Sequence, residues 1–459
     1  MEEQYNIKLK HLELKNFRCF ESLDIIFDSK LTVLIAGNGS GKTAFLDAVA
    51  EGLKGYLSAL NKGYKLSSFK GTDVRTGTAK SDNNLAVDLS YPVQLGYLDE
   101  GNNDIEIDEK SDVDVLLHTD IDIDGGSSFR MSSLSVVASY KQLAEKKVNS
   151  KSGNNIVLPI LAYYGGNSVD TDYDSAKKAK NRIDYIYKDA LSSSRFNFAA
   201  FFDWFLLRYN MYSSAKLKSS EKDMLDIDPN LFQIISAVEV IMNDDINHKT
   251  YQDLRIEYSE EGAKLVLGKL NDKNEYDPFE IRQLSAGEQA LFAFVADLGL
   301  RLLKANPKTN KVSDDGFYKI KGSGVVLIDE VDLHLHPKWQ KKIVGKLMDI
   351  FPDVQFVMTT HSPFVVGQSH FSQTVYSIQD NKAIEEPYAG GHSSDYILSE
   401  LMDIDPKNQD VEDYIALIRQ GLHETEEGKK LHHVIEKLDP NSSDMMRINF
   451  ALQRLKSKK

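Results

Sequence analysis

Residues 31–43 read LTVLIAGNGSGKT. The apolar run Leu31–Ala36 is long enough for one buried strand, and FLDAVAEGLKGYL (residues 45–57) spaces its apolar side chains three and four apart, the period of a helix. Between them, glycines at 37, 39 and 41 leave the backbone free to turn several N–H groups into one concavity, at the positive end of the helix that follows. That geometry seats a phosphate. Asn38, Gly39, Ser40 and Gly41 form the cradle, Lys42 supplies a point charge for the β- and γ-phosphates, and Thr43 supplies a hydroxyl for Mg²⁺. Ala36 stands where such loops usually begin with glycine, which is tolerable if its φ is negative.

Further along, GVVLIDE (324–330) is a buried strand that ends in two carboxylates, and QFVMTTHSP (355–363) is another that ends in a polar turn. Alternating strands and helices imply an α/β core, a mixed sheet with crossover helices. Asp329 and Glu330 then sit at the carboxyl edge of the sheet, where open α/β folds bind ligands. Asp329 is expected to hold Mg²⁺ through water and Glu330 to orient or deprotonate an attacking water. In LSAGEQ (284–289), Ser285 and Gly287 open a long helix, so they are expected to form a second anion site as well as an ordinary capping box closed by Glu288. His361, after the strand, offers a neutral donor within reach of a γ-phosphate.

The segments outside this core divide the chain. The expected layout is an N-terminal lobe carrying the phosphate loop (1–60), an inserted β-rich and helical region (61–250), a C-terminal lobe (251–390) and a C-terminal helical segment (391–459) suited to partner docking or to capping the core. Within the insert, FNFAAFFDWFLLRYNMY (196–212) is helical and aromatic, and with so few basic residues interleaved it is expected to pack rather than to stack on bases. Two metal-like patterns fail. Asp120, Asp122 and Asp124 open like a calcium loop, but Met131 stands where the bidentate glutamate belongs. His334 and His336 lack a partnering cysteine and are expected to position the loop after Glu330.

The chain has 459 residues and a formal net charge of −14, with a single cysteine, Cys19. Residues 99–124 hold eleven acidic side chains against one lysine, so the rest of the chain carries only −4. A uniformly basic nucleic-acid coat is excluded, whereas a local basic surface is not. The lone cysteine, the opening MEEQYNIKLKH and the lack of a long apolar run point to a cytoplasmic protein with no membrane span.

Taken together, AGNGSGKT, LSAGEQ, VVLIDE, Asp332 and TTHSP resemble the motif set of ABC-type ATPases of the SMC/RecF class, and LELKNFRCFESLDIIF (12–27) resembles the lead-in of that class rather than of a transporter cassette. The likeness covers roughly residues 1–55 and 280–370. It implies two heads joined head to tail around ATP, with Ser285 acting in trans, Asp332 across the dimer interface and His361 sensing the γ-phosphate. That class usually carries a glutamine at the metal after the first helix; Gln94 and Gln142 are both open for the role. The segments LPILAYYGG (158–166) and LIDEVDLHLHPKWQKKIVGKLMDIFPDVQFVMTTHSPFVV (327–366) are similar to the PtuA-type ATPases of bacterial Septu and retron anti-phage systems. This implies an HNH nuclease partner, possibly with a reverse transcriptase and its RNA–DNA product. A RecF-like repair ATPase that engages DNA itself is the alternative. A nuclease within the chain is not expected, because the acids after TTHSP look like charged helix faces.

Overall fold

The computed structural model describes residues 7–37, 39–60, 73–75, 85–93, 96–98, 105–107, 113–121, 127–131, 158–165, 186–187, 190–191, 198–218, 223–244, 249–260, 262–306, 317–367, 373–387, 389–402, 408–435 and 442–456. They fall into two compact units, 1–394 and 395–459.

Four strands of the first unit are buried at every residue: β3 (Leu31–Ile35), β9 (Ile160–Tyr164), β13 (Gly324–Ile328) and β14 (Val354–Thr360). Strands covered on both faces belong in a parallel sheet, and these four pair in parallel in the order β3-β14-β13-β9. On the other side of β3 the sheet continues through parallel β15 (Thr374–Gln379) to antiparallel β16 (Lys382–Glu385). The register brings the carboxyl ends into line, with Ile35 opposite Thr360 and Ile328 opposite both Met358 and Tyr164. Everything that follows these strands therefore emerges on one edge.

Helix α1 (Lys42–Leu60) starts directly from the loop after β3. A second sheet joins the hairpin β1 (His11–Phe17) and β2 (Phe20–Ile26) to β4 (Leu85–Val93), β7 (Val113–Ile121) and β8 (Ser127–Met131), all antiparallel, with a small hairpin of β5 (Gly96–Leu98) and β6 (Ile105–Ile107) beside it in sequence. β10 (Tyr251–Ser259), β11 (Gly262–Leu270) and β12 (Tyr276–Glu280) form a third, antiparallel sheet.

The aromatic segment forms α2 (Phe198–Lys218), and Phe198, Phe201 and Phe205 are buried. Phe198 and Phe201 each meet Phe292 with ring centroids 5.9 Å apart, edge to face, so these rings are core. Phe292 lies on α4 (Ala286–Ala305), which also packs against α3 (Pro229–Met242) and β9. After the loop that follows β13 come two helices separated by a break, α5 (Pro337–Gln340) and α6 (Ile343–Ile350). Gln340 causes the break: its amide donates to the carbonyls of Asp332 and Leu335, which ties the end of α5 to the preceding loop.

The second unit includes α7 (Gln409–Gln420), α8 (Glu426–Ile435) and α9 (Ser443–Lys456), packed around Val411, Tyr414, Ile415, Ile418, Ile435 and Ile448. Gly421, at φ 76°, ends α7 in the left-handed conformation that glycine reaches without strain. Among the described residues, no helix is long and apolar enough to cross a membrane.

Candidate nucleotide site

The loop between β3 and α1 turns through positive φ at Gly39 (77°) and Gly41 (96°), and Ala36 is not among the positive-φ positions. Gly41 is fixed by more than its φ. A Cβ there would lie 2.3 Å from Cys19 Sγ and 2.7 Å from Phe20 Cζ, so the β1–β2 hairpin is packed against the loop. Ser40 Oγ donates to the Gly37 carbonyl at 2.7 Å. Asn38 lies outside the described residues.

Lys42 is 6 % exposed, and its ammonium donates to the carbonyls of Ala36 and Gly37 at 3.0 Å each. Burial lowers its pKa, against the opposing pull of Asp329, Glu330 and Asp332. Beside it, Thr43 Oγ1 donates to Asp329 Oδ2 at 2.7 Å, and Thr359 Oγ1 donates to Asp329 Oδ1 at 2.5 Å. Thr359 Oγ1 in turn accepts from the Glu330 backbone N–H at 2.9 Å. A chain of hydroxyls and carboxylates thus joins the phosphate-loop helix, β13 and β14.

Glu330 is held at φ 51°, a conformation that costs a non-glycine residue free energy and persists because Thr359 binds its N–H and the Thr359 carbonyl accepts from Val331. Its Oε1 lies 3.8 Å from His361 Nε2. Asp332 Oδ1 accepts from Thr360 Oγ1 at 2.5 Å and from the His361 backbone N–H at 3.1 Å, so it fixes the turn that carries the histidine. Gln340 completes this ring, accepting from Ser362 Oγ at 2.7 Å.

Behind the site, Arg18 donates to Asp47 at 2.6 Å and to Asp73 at 3.0 Å, and the Tyr163 hydroxyl donates to Asp47 at 3.4 Å. Burial, with Asp47 and Asp329 nearby, pushes the Tyr163 phenol far above its ordinary pKa. This network locks α1 to β9 and to the N-terminal hairpin.

Ser285 and Gly287 take a different place. Ser285 is the N-cap of α4, and its hydrogen bonds go to Glu288: Oγ donates to Glu288 Oε2 at 2.7 Å while Glu288 N–H donates back to Oγ. Tyr251 anchors the same carboxylate at 2.6 Å. Gly287 faces the loop after Glu330, where a Cβ would lie 2.4 Å from the His334 carbonyl. His336 caps α5, its Nδ1 accepting from Lys338 N–H. Among the described residues, no group of three or more His, Cys, Asp or Glu side chains could hold a metal ion.

Lys42, Thr43, Asp329, Glu330, Asp332 and His361 are therefore gathered on one sheet edge. Sequence reading missed Thr359, Thr360, Gln340 and the Arg18–Asp47–Asp73 network. The doubled threonine before His361 was the available signal for the first two. Gln94 and Gln142 lie outside the described residues, as do the side chains of 99–124.

Residues 175–367 match the family model described as "AAA domain, putative AbiEii toxin, Type IV TA system". The chain is 23 % identical to a retron Ec83 probable ATPase of Escherichia coli, over 98 % of this chain and 87 % of that protein. Septu protein PtuA of Bacillus mycoides is 37 % identical over a shorter stretch, 20 % of this chain and 11 % of PtuA. An SMC head crystallised with the C-terminal winged-helix domain of ScpA aligns over 82 % of this chain and 97 % of that one, with 16 % identity and a TM-score of 0.44. The chain is thus similar over nearly its whole length to a retron probable ATPase, and over a shorter stretch to Septu PtuA.

Proposed function

We propose that this protein binds and hydrolyses ATP as a head-to-tail dimer, and that this cycle controls a separate nuclease in anti-phage defence. The observation that carries the ATPase reading is the hydrogen-bonded chain Thr43–Asp329–Thr359–Glu330, which sets a phosphate loop and a pair of carboxylates on one sheet edge.

Asn38 to Thr43 cradle the triphosphate. The Lys42 ammonium exchanges the Ala36 and Gly37 carbonyls for the β- and γ-phosphates, a transfer favoured because it is buried with only neutral oxygens as hydrogen-bond partners. Thr43 Oγ1 and Asp329 Oδ2, 2.7 Å apart, are hard oxygen donors that would hold a Mg²⁺ ion. That ion would neutralise charge on the phosphates. Glu330 orients the attacking water and accepts its proton, and His361, 3.8 Å away, donates to the γ-phosphate. Ser285 and Gly287, at the N-terminus of the twenty-residue helix α4, meet the γ-phosphate bound by the second protomer, with Asp332 at that interface.

The retron and Septu relatives support the defence setting. The finer reading adds an HNH nuclease subunit as the controlled effector, with a reverse transcriptase and its RNA–DNA product in a retron setting. Isothermal titration of the Lys42→Ala variant tests the site: ATP binding is expected to vanish, and wild-type affinity would refute the assignment. Glu330→Gln is expected to bind ATP, to accumulate as a closed dimer by mass measurement, and to hydrolyse about 10²- to 10⁴-fold more slowly. Co-purification with the products of adjacent genes tests the partners, and an ATPase that is recovered alone and cleaves DNA by itself would overturn that part.

A further inference from the structure

A cavity of about 210 Å³ lies between the loop that carries Glu330 and the first turns of α4. The ends of β9 and β13 and helix α6 also line it. Its walls are mostly apolar: Ala290 and Phe294 from α4, Leu333 and Leu335 from the loop, Leu347 from α6, and Tyr164. The Tyr164 and Phe294 rings meet edge to face with centroids 4.6 Å apart, an arrangement that a further ring can extend.

The polar groups at its border are largely committed elsewhere. Asp329 is bound by two threonine hydroxyls, and the Gln289 amide donates to the carbonyls of Arg282 and Leu284. The carboxylates of Asp329 and Glu330 repel an anion, and the aliphatic walls offer a charged group nothing in exchange for its hydration. A smaller apolar cavity, about 150 Å³, is already enough to stay dry and take up benzene. One or two fused rings fit this one.

Occupancy would not be neutral, because the two walls belong to the proposed catalytic machinery. Glu330 (φ 51°) and His334 (φ 60°) both hold left-handed backbone in the loop, and α4 runs so close to it that a Cβ at Gly287 would lie 2.4 Å from the His334 carbonyl. We propose that the cavity is a binding site for a compact, uncharged aromatic group, and that filling it fixes the Glu330 loop against α4 and accelerates hydrolysis. The rate effect rests on Glu330 as the hydrolytic residue; the binding does not.

The test uses the full-length chain and indole as the probe, with Ala290→Phe and Ala290→Val as variants that fill the space from a residue outside the nucleotide contacts. Ligand-observed NMR is expected to give saturable indole binding to the wild type, weaker binding to Ala290→Val and none to Ala290→Phe. Saturating indole is expected to raise wild-type kcat by about threefold or more, an effect that Ala290→Phe reproduces without indole and Ala290→Val reproduces in part. Absence of saturable binding to the wild type, or equal binding to Ala290→Val, overturns the site. Bound indole with unchanged or lowered kcat overturns the coupling. Should Ala290→Phe fail to fold, Ala290→Val carries both comparisons. If Glu330→Gln hydrolysed ATP at the wild-type rate, the hydrolytic role of Glu330, on which the rate effect rests, would fail while indole binding still reported on the cavity.

Discussion

Thr359 is one hydroxyl serving two masters: it donates to Asp329 Oδ1 and accepts from the N–H of Glu330. Replacing it by valine keeps the strand's shape and removes both bonds at once. A buried carboxylate oxygen and a backbone N–H then lose their partner, which costs about 1–3 kcal/mol each. Thr359→Val is therefore expected to lower the thermal midpoint and to reduce kcat at least tenfold, by about 1.4 kcal/mol of activation free energy or more, because Glu330 loses the bond that holds its left-handed backbone. Thr359→Ser restores the hydroxyl and should recover most of the rate. Steady-state kinetics on both variants decide it: equal rates for valine and serine would show that the hydroxyl does nothing for catalysis. Gly41→Ala is harsher, since the added Cβ meets Cys19 Sγ at 2.3 Å in a residue held at φ 96°. Its expected signature is loss of ATP binding in a chain that still folds.

The N-terminus of α4 carries a pH dependence whose sign can be worked out. Desolvation raises the Glu288 pKa, but hydrogen bonds from Tyr251 and Ser285 outweigh it and hold the carboxyl below its ordinary 4.5. The folded state thus binds this proton less readily than the unfolded chain, so the stabilisation is complete above pH 4.5 and is lost as pH falls through the depressed folded value. Urea unfolding at stepped pH should show Glu288→Gln losing less stability than the wild type over that acidic interval; parallel curves would reject the assignment. This capping box was legible in SAGE, because its residues are three apart and interact locally. The buried strands were legible too, since burial on both faces writes an unbroken apolar run. What was hidden acts over distance. Arg18 reaches Asp73 across 55 positions, β4 pairs with β1, and the break between α5 and α6 comes from Gln340 gripping two carbonyls of another loop. A threonine in a strand announces no partner, so the doubled threonine before His361 could draw notice to Thr359 but not show that it joins Asp329 to the Glu330 backbone.

At the scale of the whole molecule, the proposed chemistry and the C-terminal helices draw on separate residues. Lys42, Thr43, Asp329, Glu330 and His361 all belong to the first unit, whereas the core cluster described in the second is built from α7, α8 and α9. A small unit buries a smaller share of its surface and has little stability to spare. Ile418 is fully buried in that core, and truncating it to alanine is expected to cost about 2–5 kcal/mol, enough to melt the helices around it. If each unit is held by its own core, Ile418→Ala should lose amide-exchange protection in α7, α8 and α9 while β13 and β14 keep theirs and the affinity for ATP is unchanged. Hydrogen exchange read by mass spectrometry, together with nucleotide titration, separates the possibilities. Loss of protection at residues 324–360, or weakened ATP binding, would mean that the head depends on the C-terminal unit for its own fold. Retained ATP binding with lost co-purification of a nuclease subunit would instead place partner control in these helices, and the ATPase cycle in the head alone.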